Sequence, residues 1–371
     1  MSVEGISIYR QEGQQKEPNI GCLKRNSFPN FIFVILIGVI VVLTTVTIVV
    51  GVTKSDSSSE GKEGGQKYFS STVSSEAWEK YKKAKKYLYI WEYFTPDYII
   101  KMCQEHHFTR VYLNIGCIDT FWKYYYIDGK FIAGGEIGSL DYETFIKQLN
   151  DINVEVELVT FLAKDFNDFT NVDRVDTVAK LVKELATKVK IKALHFDQEC
   201  SRDSIENLLK MYIRVNEIFP VSAIIRPSWL NSQLSNYKDK FKDQDFYESF
   251  SDCETIVDAL MKITKYSDLM AYNENYDKVE KYMAQLKEIN SRHTNNEAKN
   301  IIEIGINAPT TDTLHQRYIE DKDKFFNFVY NMSVKYDGIT IHHYEDWYET
   351  LYCIEPDKNI PYDGGEPKNC N

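Results

Sequence analysis

Two carboxylates spaced two residues apart close the segment KIKALHFDQEC: Asp197 and Glu199. On an extended chain residues i and i+2 point to one face, so both acids share a face with His195. Acids this close repel one another, which raises one pKa and prepares a proton donor at neutral pH, as general acid catalysis requires. The competing reading places them in solvent or at the start of the next helix. A carboxylate ending an apolar run is costly without a role, which favours the first reading. Other polar and aromatic residues end similar apolar runs. They are Trp91, Glu92 and Tyr93; Asn114; Arg226 and Trp229; Tyr272 and Glu274; Asn307; and His342, His343, Tyr344 and Trp347. With 26 tyrosines in 371 residues, no single one of these carries weight, so the constellation has to.

The runs themselves explain how such residues would meet. Short β-branched or aromatic stretches occur at Tyr87–Trp91, Arg110–Ile115, Val154–Phe161, Ile191–Phe196, Val221–Ile225, Leu269–Tyr272, Ile301–Ile306 and Gly338–His342. Between them lie stretches of helical period, at Pro96–His107, Asp141–Asn150, Asp173–Val189, Ser204–Ile218, Glu254–Thr264, Tyr276–Ile289 and Asp321–Val334. Thr95-Pro96-Asp97 and Ser251-Asp252 read as helix starts. Such alternation predicts a closed parallel TIM-type (β/α)8 barrel over residues 86–354, with an open doubly wound sheet as the rival. In a barrel, substrates bind at the C-terminal ends of the strands. The insertion FWKYYYIDGKFIAGG, with Asp128-Gly129 at its centre, predicts a β-hairpin over that mouth. Its Trp122, Tyr124, Tyr125 and Tyr126 would stack on sugar rings or pack the hairpin down.

The series HFDQE, MAYNE, EIGINAP and GITIHHYEDW resembles the strand ends of chitinase-like glycoside hydrolases of family 18 and related barrels, over residues 87–350. That resemblance implies Glu199 as general acid/base, Asp197 as the residue orienting a substrate acetamido group, and Tyr272 as a ligand of its carbonyl. The two earlier acids of the D-x-x-D-x-D-x-E pattern are Lys192 and His195 here, and its glycine is Ala193. Asp197 therefore lacks the inner carboxylate of the pattern, and His195 is placed to hydrogen-bond Asp197 and hold it ionised. The remaining strand-end residues, His195 among them, are expected to line a glycan site. The rival class is a catalytically silent carbohydrate-binding barrel.

Residues 30–53, NFIFVILIGVIVVLTTVTIVVGVT, are uncharged and long enough to cross a hydrocarbon core of about 30 Å. They predict a lipid-embedded signal anchor rather than a cleaved leader or a core helix. A cytosolic tail (1–29) would precede it and a Ser/Gly/Lys-rich stalk (54–85) would follow, ending in an amphipathic stretch around Trp78 and Tyr81. The barrel and a C-terminal tail (355–371) would then lie extracellularly or in the secretory lumen, as in a type II membrane protein. Six of seven cysteines fall in that body, which suggests disulfides, with Cys353–Cys370 and Cys200–Cys253 as the pairs. Asn331-Met-Ser is a sequon.

The formal charge of −11 speaks against nucleic acid as a partner. No Walker loop, G-x-S-x-G or dinucleotide fingerprint occurs, and no cofactor is called for. A zinc site from His195, Asp197 and the His342-His343 pair is disfavoured, because adjacent histidines on a strand face opposite ways. His106-His107 reads as a positive cap at the end of the first helix.

Overall fold

The computed structural model describes residues 73–90, 96–117, 124–127, 130–133, 141–161, 172–198, 204–271, 275–293, 299–305 and 321–342. All belong to the second of two units into which the chain divides, 1–64 and 65–371. In chain order the elements are α1 (Ser75–Lys83), β1 (Lys86–Ile90), α2 (Pro96–His106), β2 (Phe108–Cys117), β3 (Tyr124–Ile127), β4 (Lys130–Ala133), α3 (Tyr142–Asp151) and β5 (Glu155–Phe161). They continue as α4 (Val172–Leu185), β6 (Leu194–Phe196), α5 (Ile205–Ile218), β7 (Val221–Ile225), α6 (Gln244–Glu248) and α7 (Ile256–Ile263). The last are β8 (Tyr266–Met270), α8 (Tyr276–Arg292), β9 (Lys299–Gly305), α9 (Lys322–Lys335) and β10 (Gly338–His342).

Strands β1, β2 and β5 to β10 form a closed ring in which every neighbouring pair is parallel. It is the eight-stranded barrel that the alternation predicts. Closure is between β1 and β10, with Lys86 beside Ile339 and Leu88 beside Ile341. Gly338 makes this seam possible. Its φ is +151°, and a Cβ there would lie 2.5 Å from Tyr87 Cε2. Tyr87 in turn donates its hydroxyl to the carbonyl of Asp337 at 2.7 Å. Strands β3 and β4 pair antiparallel with Ile127 beside Lys130, as the expected hairpin requires, and Asp128-Gly129 lies outside the described residues.

Helices start where short polar side chains take up orphan N–H groups. Asp141 accepts from Thr144 N (3.1 Å), Asn275 from Lys278 N (3.0 Å) and Asp321 from Lys324 N (2.9 Å). Helix α7 begins at Ile256 on a reciprocal Thr255–Asp258 box, five residues beyond the Ser251 signal, because Ser251–Glu254 is spent on turns. Their apolar faces, such as Phe145, Val178, Leu208 and Leu260, pack on the outward residues of the ring, such as Leu88, Leu113 and Leu158. Each such side chain contributes roughly 1.5–3 kcal/mol on burial.

The amphipathic stretch around Trp78 and Tyr81 is helix α1, and it packs into the body. The two rings stack at 5.0 Å between centroids and meet Phe326 of α9 edge-on at 5.4 and 4.9 Å. Buried Lys86 ties the end of α1 to the ring by donating to the carbonyls of Tyr81 (2.6 Å), Lys82 (3.2 Å) and Ala84 (3.0 Å). Burial pulls the Lys86 ammonium down to about 7.

Some expectations shift. Strand β8 is Tyr266–Met270 rather than Leu269–Tyr272, because the polar Ser267 and Asp268 pair inside the ring where their types suggest a loop. Regular β6 is confined to Leu194–Phe196, although Lys192 N still bonds the carbonyl of Val156 at 2.8 Å. Cys253 is a free, buried thiol, pushed up to about 12 mainly by burial, and so is not in the expected bridge with Cys200; Cys103 is also free and buried. Asn331 lies on the exposed side of α9, while Ser333 of the same sequon is buried and bonded to the Tyr330 carbonyl. Among the described residues no helix is long and apolar enough to cross a membrane. Residues 30–53, Cys353 and Cys370 lie outside the described residues.

Candidate functional site

The inner face of the ring is polar. Arg110 on β2, 1% exposed, donates Nη1 to Glu157 Oε1 at 2.5 Å and Nη2 to Glu155 Oε2 at 2.7 Å, both on β5. Its guanidinium lies against the rings of Tyr87 (4.8 Å) and Tyr266 (5.1 Å). Burial is the largest influence and opposes its charge, but Glu157, the Tyr112 and Tyr87 hydroxyls and the hydrogen bond to Glu155 together hold its pKa above the ordinary value. Glu157 is itself sealed, and burial raises its pKa against the pull of Arg110 and Ser222.

The second oxygen of Glu157 accepts from Ser222 Oγ at 2.6 Å, and Ser222 Oγ lies 2.8 Å from His195 Nδ1. The serine has one proton and gives it to Glu157. The imidazole therefore donates from Nδ1, which fixes the tautomer and leaves Nε2 as a lone pair. Among the described residues no hydrogen-bond partner reaches His195 Nε2. Burial, with the Arg110 charge beside it, holds this imidazole down at about 3, so it is neutral. Edge contacts to Tyr112 (5.1 Å) and Tyr89 (5.8 Å) complete its surroundings.

Across the ring, Asp268 on β8 accepts from Thr340 Oγ1 of β10 at 2.7 Å and interacts with the Tyr112 hydroxyl. Burial pushes its carboxyl up to about 7, with Thr340 pulling down and the charge of Glu157 pushing up.

Above this layer lies the mouth. Asp197 follows β6, and its N–H donates to the carbonyl of Thr160 at 3.1 Å. The ladder thus continues to Asp197, which keeps the parity of His195 and is half-buried. His342 ends β10 with its ring 5.5 Å from that of Tyr89. Asn114 shapes the end of β2, where its Oδ1 accepts from Gly116 N at 2.8 Å in a bulge, with Gly116 at φ +102° and Tyr142 donating to the Asn114 carbonyl. Arg226, half-buried, precedes a 3-10 turn (Pro227–Asn231) in which Trp229 is packed in the apolar core, 6% exposed.

The structure thus brings His195, Asp197 and His342 together at one end of the ring and sets Trp229 behind it. The proposed His195–Asp197 hydrogen bond is not formed, because Nδ1 donates to Ser222 and no described residue is a hydrogen-bond partner of Nε2. Trp91, Glu92, Glu199, Tyr272, Glu274, Asn307 and Tyr344 lie outside the described residues. Arg110, Glu157, Ser222 and Asp268 went unnoticed in the sequence. The available signal was polar residues at period two, as in Arg110-x-Tyr112-x-Asn114 and Glu155-x-Glu157, inside runs that a barrel buries on both faces. Among the described residues no group of three His, Cys, Asp or Glu side chains is arranged to hold a metal ion.

A separate cavity of about 630 Å³ lies outside the ring, between residues 230–255 and α8. Its charged lining is already committed, since Arg292 pairs with Glu254 (2.5 Å) and Glu288 (3.4 Å).

No protein-family model matches the chain, and no curated protein matches it. Among solved structures it is similar to the spore cortex-lytic enzyme SleL of Bacillus megaterium QM B1551, at 13% identity and TM-score 0.40, over 65% of this chain and 57% of that one. The chain therefore spans little more than half the length of SleL. It is also similar to active domain 2 of a Pyrococcus furiosus chitinase (14%, TM-score 0.38, over 70% of this chain and 83% of that one). A sugar phosphate isomerase/epimerase of Parabacteroides distasonis is a comparable likeness (11%, TM-score 0.39, 67% and 93%). One of these three is a cortex-lytic enzyme, one a chitinase and one an isomerase/epimerase. Likenesses this distant concern the barrel, not the chemistry at its mouth.

Proposed function

We propose that the chain is a glycoside hydrolase whose barrel is tethered to a lipid bilayer through residues 30–53 and cleaves glycosidic bonds, with N-acetylhexosamine glycans as the first substrates to try. The observation that carries this reading is Asp197, held by the ladder at the open end of β6 with the inward parity of the strand. Glu199, two residues on, is the proton donor, Asp197 its electrostatic partner, and Tyr272 the group that holds the acetamido carbonyl. Trp91, Glu92, Asn114, Arg226, Trp229, Glu274, Asn307, His342 and Tyr344 line or support the sugar site. The body sits extracellularly or in the secretory lumen.

A binding-only carbohydrate module is the second reading. It is favoured by His195, which stands where the related pattern has an acid and leaves Asp197 without an inner carboxylate on its own strand. Release of reducing sugar from N-acetylhexosamine oligosaccharides by the full-length protein in detergent separates the two. Hydrolysis by the wild type that disappears in Glu199→Gln, with binding retained, supports the enzyme. Binding by both proteins with turnover by neither establishes the module.

A further inference from the structure

Among the described residues the interior of the ring holds more carboxylates than cations. Arg110, Glu157, Asp268 and His195 are each at most 1% exposed. Glu155 shares Arg110 but is also matched by Lys192 at 3.0 Å, and both are part-exposed at the rim. Among the described residues one sealed cation therefore serves two sealed carboxylates, and a surplus buried anion is costly. His195 does not supply the missing positive charge. Its Nδ1 proton is committed to Ser222, an added proton on Nε2 would meet no acceptor among the described residues, and Arg110 disfavours a second cation beside it.

We propose that the folded barrel retains one proton on Asp268 at neutral pH, and that its release is a switch built into the layer directly beneath the candidate site. The geometry suits a neutral carboxyl: Thr340 donates to Oδ2, while among the described residues no donor reaches Oδ1 to stabilise a charge there. The groups acting on Asp268 are Glu157 and Arg110 from β5 and β2, the Tyr112 hydroxyl, and Thr340 from β10. Along β9 the nearest acid is Glu303, in register with Met270 and Thr340. Strands β6, β8 and β10 all pass through this layer on the way to the mouth, so charging it disturbs the supports of Asp197 and His342. The inference stands whether or not the mouth hydrolyses glycans.

The test compares the thermal midpoints of full-length wild type and Asp268→Asn in detergent between about pH 4 and about pH 8. Asp268 carries its proton to about 7 in the folded state, against an ordinary value of 3.8. The unfolded chain therefore ionises first, and stability is lost as pH rises between those values. Asp268→Asn is expected to gain on the wild type steadily across that interval and then level off. A difference independent of pH overturns the proposal, as does the same gain appearing in Glu303→Gln instead. Should Asp268→Asn fail to fold, infrared spectroscopy of the wild type decides. A protonated-carboxyl band that vanishes as pH is raised through neutrality is expected, and its absence throughout overturns the proposal.

Discussion

The two faces of the ring are built on opposite rules. Outside, Leu88, Leu113, Leu158 and Ile341 meet apolar helix faces, and removal of area from water holds the layers together. Inside, where a barrel selected for stability alone is filled with branched aliphatic side chains, this one stacks Tyr87, Tyr89 and Tyr112 around Arg110, Glu157, His195 and Asp268. Burying charge rarely adds net stability over a well-packed apolar interior. The outer shell therefore supplies the stability that the inner face spends, and the inner face lies directly beneath the residues at the mouth.

That contrast makes graded predictions. Arg110→Met strands Glu157 and is expected to be the most damaging, at about 3–5 kcal/mol in denaturant unfolding, with Glu157→Leu added to it restoring a substantial part. Leu208→Ala on α5 tests the outer rule. A loss of about 2–5 kcal/mol is expected, with the pH dependence of stability unchanged because no titrating group is touched. Gly338→Ala tests the seam, where the new methyl meets the Tyr87 ring, and about 1–3 kcal/mol is expected in the same assay.

A pH signature belongs to the inner face. His195 is neutral in the folded state down to about 3, whereas the unfolded side chain protonates near 6.5, so its contribution falls as pH drops between those values. Asp268 acts in the opposite sense between 3.8 and about 7. Over the shared interval the folded and unfolded states bind equal numbers of protons at these two sites, and the contributions cancel. Asp268→Asn removes the balance and is expected to show a wild-type-like protein that weakens on acidification below about 6.5. His195→Gln should remove that weakening when combined with it. Urea titrations across the interval check both.

The outer rule was legible in the sequence and the inner one was not. Val221–Ile225 and Gly338–His342 are rich in β-branched residues, and both form strands at those bounds. The antiparallel pairing of β3 with β4 agrees with the hairpin that the sequence Asp128-Gly129 suggests. Asp268 defeats the same reasoning, because an acid beside Ser267 reads as loop, and only the partners Thr340 and Tyr112, 72 residues downstream for the first, make it an interior residue. Trp229 errs the other way. Aromatic and just past a strand end, it reads as a mouth residue, yet the turn that follows β7 folds it into the apolar core. Asp197 was legible because parity along one strand is a local property. His195 was legible as to face but not as to partner, since Ser222 and Glu157 come from neighbouring strands.

The account rests on the mouth, not the outer cavity, being where sugar binds. Calorimetric titration of an N-acetylhexosamine oligosaccharide into full-length Glu199→Gln protein, with Asp197→Ala or Arg292→Ala added, tests this directly. Asp197→Ala is predicted to weaken binding at least about tenfold, or about 1.4 kcal/mol, while Arg292→Ala leaves it unchanged. Loss of binding on Arg292→Ala with none on Asp197→Ala would contradict the account.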